Sequence, residues 1–190
     1  MRYYTGVGSQ ETPSDILDVM TTVGRKLASK GWVLRSGAAK GADSAFELGW
    51  FQWWAEQTPW PNQAYAEIYL PWNGFNSHGR DACFGGNIVP SMDDYDLWQQ
   101  AIDIAKEIHP YWDRCSPAAK KLHTRNVYQV LGQDLKTPSR FVVAYSKLDK
   151  HGEPTGGTRT AIKLAEKYEI DCFNLYKPVD LARIQEFIKD

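Results

Sequence analysis

The sequence is poor in cysteine, in excess charge and in long apolar runs. Its 190 residues carry a formal net charge of −1 at pH 7, and its three cysteines, Cys83, Cys115 and Cys172, are widely spaced. Few and scattered cysteines argue against a disulfide framework and are typical of a reducing compartment. No apolar run approaches the roughly 20 residues of a membrane-spanning helix, and no signal-peptide pattern follows Met1. These absences predict a cytoplasmic protein without a membrane partner.

The sequence also lacks a basic run and a recognisable metal motif. It has 22 Lys and Arg residues against 23 Asp and Glu residues. Because nucleic-acid affinity depends on cations that neutralise phosphates, this composition disfavours a general nucleic-acid binder and leaves only a local basic patch open. His78 and Cys83 do not have the spacing of a known metal site. The sequence therefore predicts neither a metal nor a cofactor.

Short apolar segments alternate with amphipathic helical patterns along the whole chain. This alternation predicts an α/β protein with a Rossmann-like, three-layer α/β/α fold and a mainly parallel central sheet of about five strands or more. The length is that of one domain, so we expect a single domain over 1–190 with an irregular insertion around 58–94. The predicted strands are Tyr3–Val7, Trp32–Leu34, Ala66–Leu70, Phe141–Tyr145 and Ile170–Leu175.

Glycine-rich loops follow three of these strands and open helices. Because parallel strands end at the same edge of a sheet, the loops are expected to converge on one crevice. Glycine lets backbone N–H groups approach a ligand, and a helix start adds partial positive charge, so such loops suit a phosphate. An ordinary strand-to-helix turn is the alternative explanation for each. The candidate phosphate ligands in the loops are Gly8, Ser9, Ser36, Gly37, Lys40, Gly41, Asp43, Gly156, Gly157, Thr158 and Thr160.

Taken in order, the three loops resemble those of the SLOG superfamily. The motifs are Gly6-x-Gly8-Ser9, Ser36-Gly37-Ala38-x-x-Gly41-Ala42-Asp43 and Gly156-Gly157-Thr158-x-Thr160-Ala161. This superfamily includes the DNA-processing protein A (DprA/Smf) family and the LOG-type phosphoribohydrolases. The resemblance implies a nucleotide-derived ligand and self-association into a homo-oligomer. The short, DprA-like single-domain form is associated with bacteriophages, which implies the cytoplasm of a bacterium or of a phage-infected host.

A second resemblance concerns an arginine. Leu122-His123-Thr124-Arg125-Asn126 is similar to the Met-His-x-Arg-Lys segment of LOG enzymes, which implies a functional, ligand-binding role for Arg125. A solvated arginine near a helix end is the alternative. Trp60, Trp72 and Phe75 lie near loops, where an aromatic ring can stack on a base.

Two departures weaken the hydrolase interpretation. Ile162 stands where LOG enzymes have a catalytic glutamate, and Gln10 stands where an arginine usually follows Gly-Ser. If the protein is an enzyme, the remaining candidates for catalysis are Arg125 and the carboxylates Asp43 and Glu47, which could activate water or stabilise an oxocarbenium-like state. For Asp43 the sequence favours a structural role, as the N-cap or a first-turn residue of the second helix.

The sequence therefore favours a nucleotide-binding protein that captures a phosphorylated nucleoside or a nucleotide-derived signal. One alternative is a nucleoside 5′-monophosphate N-glycosidase, which would be a hydrolase. Another is DprA-like binding of single-stranded DNA in recombination, which the net charge disfavours. The sequence does not decide between an enzyme and a binding protein.

Overall fold

A computed structural model describes residues 1–59, 66–80 and 86–189. Within these ranges the strands are β1 (Arg2–Gly8), β2 (Trp32–Ser36), β3 (Ala66–Tyr69), β4 (Asn87–Ile88), β5 (Phe141–Tyr145) and β6 (Asp171–Asn174). The helices are α1 (Ser14–Ser29), α2 (Ala42–Ala55), α3 (Pro90–Asp93), α4 (Tyr95–Ile108), α5 (Pro117–Leu131), α6 (Arg159–Lys167) and α7 (Pro178–Lys189), with 3-10 turns at Phe75–Ser77 and Trp112–Arg114. None of these helices is long and apolar enough to cross a bilayer.

The strands form one parallel sheet in the order β4-β3-β2-β1-β5-β6. Helices α1, α2 and α7 pack on one face and helices α4, α5 and α6 on the other, so each face has its own apolar core. Successive strand residues alternate between these cores: Val143 belongs to the first, and Val142 and Ala144 to the second. A strand covered on both faces is apolar throughout, as β5 is. The predicted Rossmann-like α/β/α class is confirmed.

The direction of strand addition reverses between β1 and β5. From β1 the chain adds β2, β3 and β4 on one side, and then returns to place β5 and β6 on the other. In open α/β sheets the crevice at the carboxyl ends of such neighbouring strands is where ligands bind. The loops after β1 and β5 meet at this point, since the Ser9 N–H donates to the Tyr145 carbonyl at 3.0 Å.

The structure departs from the sequence prediction most in the segment expected to be an irregular insertion. Its described parts contain β3, which was predicted, and the two-residue strand β4, which was not. Two residues are too few to show the alternation that identifies a strand. Residues 60–65 and 81–85 lie outside the described residues, and with them Trp60 and Cys83. The single domain over 1–190 stays a prediction.

Candidate functional site

A cleft of about 510 Å³ opens at the carboxyl ends of β1 and β5. Its volume falls in the range of small-molecule sites. The loop after β1, the first turn of α2, one face of α5 and the loop before α6 form its walls. The lining residues are Val7, Gly8, Ser9, Gln10, Glu11, Ala39, Asp43, Phe75, Leu122, Arg125, Asn126, Gln129, Lys147, Thr155, Gly156, Gly157, Thr158 and Ala161.

The loop before α6 contributes Gly156, Gly157 and Thr158 to the lining of this cleft. Gly156 and Gly157 are exposed, and no hydrogen bond among the described residues uses the N–H groups of Gly156, Gly157 or Thr158. Gly156 has a φ of +69°, which glycine adopts without strain. The Asn126 side chain donates to the Gly157 carbonyl at 2.8 Å and so ties the loop to α5. Unpaired amides at the start of a helix favour an anion.

Three backbone donors of the first two loops are bound by carboxylates of the protein itself. Asp43 is 2% exposed. It accepts from the Gly8 N–H at 3.1 Å and from the Ala39 N–H at 3.4 Å. In the same way, Glu47 accepts from the Ala38 N–H at 3.0 Å. These three amides are therefore not available to a ligand while Asp43 and Glu47 accept from them.

Arg125 reaches from α5 across the edge of the sheet toward the same carboxylate. It is 5% exposed. Its Nη1 donates to the carbonyl oxygen of Gly37 and lies 3.5 Å from that of Tyr69 and 3.8 Å from Asp43 Oδ2. The guanidinium fills the space beside Gly37, so a Cβ at that position would overlap Nη1. Arg125 is thus a buried residue of the site and not a solvated one near a helix end.

Burial has the largest effect on the pKa of the Asp43 carboxyl. Loss of solvent raises the pKa of its carboxyl to about 6, against the lowering effect of Arg125, while the nearby charge of Glu47 raises the pKa further. Arg125 does not reverse the shift, because its guanidinium donates to a backbone carbonyl and stands 3.8 Å from the carboxylate. Buried carboxyls whose pKa is displaced in this way are concentrated in functional sites.

Glu47 lies outside the cleft, beside a second and more apolar cavity of about 350 Å³. Its Oε2 is 3.1 Å from His78 Nε2, and this contact raises the pKa of the imidazole. In the sequence, His78 is not spaced from other ligand residues as in a known metal site. In the structure, its imidazole contacts the carboxylate of Glu47. Glu47 therefore orders the second loop and His78 and does not line the cleft.

Seven of the predicted site residues line the cleft, namely Gly8, Ser9, Asp43, Arg125, Gly156, Gly157 and Thr158. The others have different positions. Lys40 is exposed, and Gly37 is buried beneath Arg125. Gly41, with a φ of +84°, packs on the Ser9 carbonyl.

Two predicted hydroxyl ligands are buried and bonded within the protein. Ser36 Oγ donates to the Gly6 carbonyl at 2.7 Å. Thr160 Oγ1 lies 2.9 Å from His123 Nδ1. Neither lines the cleft, so we leave both out of the proposed ligand set. Their hydroxyls fix β2 to β1 and α6 to α5.

Sequence reasoning missed two polar residues of α5 that line the cleft. Asn126 and Gln129 lie on the same face as Leu122 and Arg125. The signal was present, because positions i, i+3, i+4 and i+7 share one side of a helix. Gln129 Nε2 and Arg125 Nε are buried and have no hydrogen-bond partner among the described residues. An amide and a guanidinium on a helix face that packs on a sheet are unusual enough to indicate a site.

Comparison with known proteins adds little to this geometry. The sequence matches no protein-family model and no curated protein. A solved structure of DNA processing protein A from Helicobacter pylori, from work on its single-stranded DNA binding mode, aligns with 99% of this chain and 79% of that chain, with 15% sequence identity and a TM-score of 0.38. This similarity is too low to support an argument about function. The class of the protein, a Rossmann-like α/β/α protein with a cleft at the strand-order reversal, rests on its own topology.

The raised pKa of Asp43 predicts a measurable pH dependence of stability. The folded protein holds the Asp43 proton more tightly than the unfolded chain does, so the free energy of unfolding falls as pH rises from about 4 through about 6. The contribution of this one group is up to about 3 kcal/mol. We expect Asp43→Asn to remove that fall when urea unfolding is measured from pH 4 to pH 8. The exposed control Asp18→Asn should follow the wild-type profile, and an Asp43→Asn profile parallel to wild type would refute the assignment.

Proposed function

We propose that the protein binds a phosphorylated nucleoside in the cleft, with the phosphate on the loop Thr155–Thr158. The free N–H groups of Gly156, Gly157 and Thr158 at the start of α6 carry this proposal. The first two loops suit a phosphate less well, because Asp43 and Glu47 accept from the Gly8, Ala38 and Ala39 amides. The sequence predicted that all three loops bind a phosphate. We propose that only the third loop does so, while the first two loops line the cleft.

A cation and an apolar wall stand beside the proposed phosphate position. Lys147 lines the cleft and pairs with Glu11 at 3.4 Å, and both side chains are largely exposed. An exposed ion pair of this kind contributes at most about 1 kcal/mol, so Lys147 can leave Glu11 for a phosphate at little cost. Phe75 and Leu122 supply apolar lining that suits a base.

A charge placed on the phosphate loop tests the proposal. Gly157 has open space around it, so Gly157→Asp should fold normally and repel a phosphate. We expect affinity for the best of a panel of nucleoside monophosphates to fall at least about tenfold in calorimetric titration, equivalent to about 1.4 kcal/mol. Gly79→Asp is the matched control, since it adds the same charge at an open position outside the cleft where, as at Gly157, glycine does not have a positive φ.

The outcome is decisive in both directions. Equal loss of affinity in both variants would indicate a general charge effect, and undiminished binding by Gly157→Asp would place the phosphate elsewhere.

Asp43 supports a second candidate, N-glycosidic hydrolysis of the bound nucleotide. A carboxyl with a pKa of about 6 can exchange a proton near neutral pH, which general acid–base catalysis requires. Both of its oxygens accept backbone N–H groups, however, and Ile162 provides no second carboxylate. Binding without hydrolysis is therefore the preferred function. Release of free base from a nucleoside monophosphate, abolished in Asp43→Asn, would establish the enzyme.

Single-stranded DNA remains the other alternative, because an oligonucleotide also offers a phosphate to the loop. Oligonucleotide affinity that falls steeply with salt would favour DNA, since each neutralised phosphate releases counterions. Affinity for the monophosphate without affinity for the oligonucleotide at low salt would remove that class. Self-association, the cytoplasmic location and the phage-type relationship stay predictions.

A further inference from the structure

Three side chains with metal-binding atoms meet where α4 turns into α5. His109 follows the last residue of α4, Cys115 precedes the capping residue of α5, and His123 lies in the second turn of α5. One ligand atom from each lies within 4.8 Å of the others. Cys115 Sγ is 3.8 Å from His109 Nδ1 and 3.9 Å from its Nε2, and the two imidazole centroids are 4.3 Å apart.

The sequence brings these residues together through its own turn chemistry. Pro110 ends α4, a 3-10 turn at Trp112–Arg114 reverses the chain, and α5 begins with Pro117 at its first position. The Ser116 side chain caps α5 by accepting from the Ala119 N–H at 3.2 Å. The connection is therefore held by its own turns and cap, which lowers the entropic cost of forming a site.

We propose that His109, Cys115 and His123 bind a zinc ion, with the fourth position open to water or an added ligand. Two imidazoles and a thiolate are the donors that suit Zn²⁺, at about 2.0–2.1 Å for nitrogen and about 2.3 Å for sulfur. Tetrahedral geometry with these bond lengths requires ligand atoms roughly 3.3–3.6 Å apart. The distances of 3.8 and 3.9 Å between Cys115 Sγ and the His109 nitrogens are slightly longer, and small side-chain movements would shorten them to this range. The site lies outside the phosphate cleft and does not depend on the proposed nucleotide.

Hydrogen bonds around the cluster show which imidazole nitrogens already have a partner. His123 Nδ1 is 2.9 Å from Thr160 Oγ1, so its Nε2 is left for the metal. Outer partners of this type fix the orientation of metal-binding histidines. The Tyr111 N–H donates to His109 Nδ1 at 3.2 Å in an exposed position. If Nδ1 binds the ion, solvent takes over that amide.

Zinc titration of the full chain, in the absence of nucleotide, tests this site. We expect one Zn²⁺ per chain and, with Co²⁺ as a probe, a thiolate-to-metal charge-transfer band. Cys115→Ser should abolish the band and weaken zinc binding at least about tenfold. The controls Cys172→Ser and Cys83→Ser should retain both signals. Thr160→Val should lower affinity by about 10–100-fold while keeping the band.

Several results would overturn the proposal. They are an absence of stoichiometric zinc binding by the folded wild-type protein, unchanged affinity in Cys115→Ser, and loss of the band in a control instead. Circular dichroism of each variant separates loss of the site from loss of the fold. Because nucleotide is absent, a negative result leaves the phosphate site untouched.

Discussion

Arg125→Met should lower the free energy of unfolding by about 3–5 kcal/mol at pH 8, because it leaves Asp43 buried without its cation. The substitution also removes the donor to the carbonyl oxygens of Gly37 and Tyr69. The loss should be smaller near pH 5, where Asp43, whose pKa is about 6, is largely protonated. Urea unfolding at the two pH values measures both effects.

An exposed ion pair provides the control for this prediction. Arg25 pairs with Glu56 at 2.8 Å, and both side chains are about half exposed. Arg25→Met should therefore cost no more than about 1 kcal/mol. A double-mutant cycle with Asp43→Asn isolates the coupling between Arg125 and Asp43. A loss for Arg125→Met no larger than for Arg25→Met, or one independent of pH, would contradict the buried pair.

Gly37→Ala should destabilise the protein by about 3 kcal/mol, at the upper end of the usual cost of overpacking. The added methyl would overlap Arg125 Nη1 and Gln129 Nε2, both of which are buried. Arg125→Met removes the guanidinium that the added methyl would overlap. The two substitutions should therefore not be additive, and Gly37→Ala should lower the free energy of unfolding less in the Arg125→Met background. Thermal and urea unfolding of the two single variants and the double variant give the comparison.

The third loop offers the matched control for an added methyl. A Cβ added at Gly157 would meet no heavy atom within 4 Å, and Gly157→Ala should change stability by no more than about 0.5 kcal/mol. Equal costs for alanine at Gly37 and at Gly157 would mean that Arg125 does not occupy the space beside Gly37.

Local sequence patterns were sufficient to predict the fold class and five of the six described strands. Runs such as Phe141–Tyr145 are apolar because both faces of the sheet are covered, and this property is legible in a single segment. The strand β4 was not predictable, since two residues contain no pattern. Its position at the edge is fixed by pairing with β3 and not by its own residues.

The sequence predicted the positions of the three loops but not which of their backbone amides are free to bind a ligand. Glycine and small residues showed where the loops are, and parallel topology implied that they converge. Which amides remain free depends on where the carboxylates of α2 point. Asp43 and Glu47 fold back onto the loop that precedes them and accept from its Ala39 and Ala38 amides, respectively, and only the three-dimensional arrangement reveals these contacts.

Arg125 was predicted to be functional from a family resemblance and not from a local sequence pattern. A resemblance singled it out, whereas the composition of α5 alone left a solvated arginine equally open. The structure buries it against Gly37, a contact between residues far apart in the chain. Similarly, Thr160 was chosen for its place in a motif, and its contact with His123 assigns it a different neighbour.

The amides of Gly156, Gly157 and Thr158 are proposed to bind a phosphate group of a nucleotide. Titration of isotope-labelled protein with a nucleoside monophosphate, followed through its backbone amide NMR signals, tests this proposal most directly. These three amide signals should shift together and saturate at one equivalent, inorganic phosphate should shift the same signals more weakly, and the Gly8 and Ala39 amides should keep their bonds to Asp43. Saturable shifts confined to Gly8 and Ala39, or no saturable shift anywhere, would mean that the phosphate does not bind to the loop before α6.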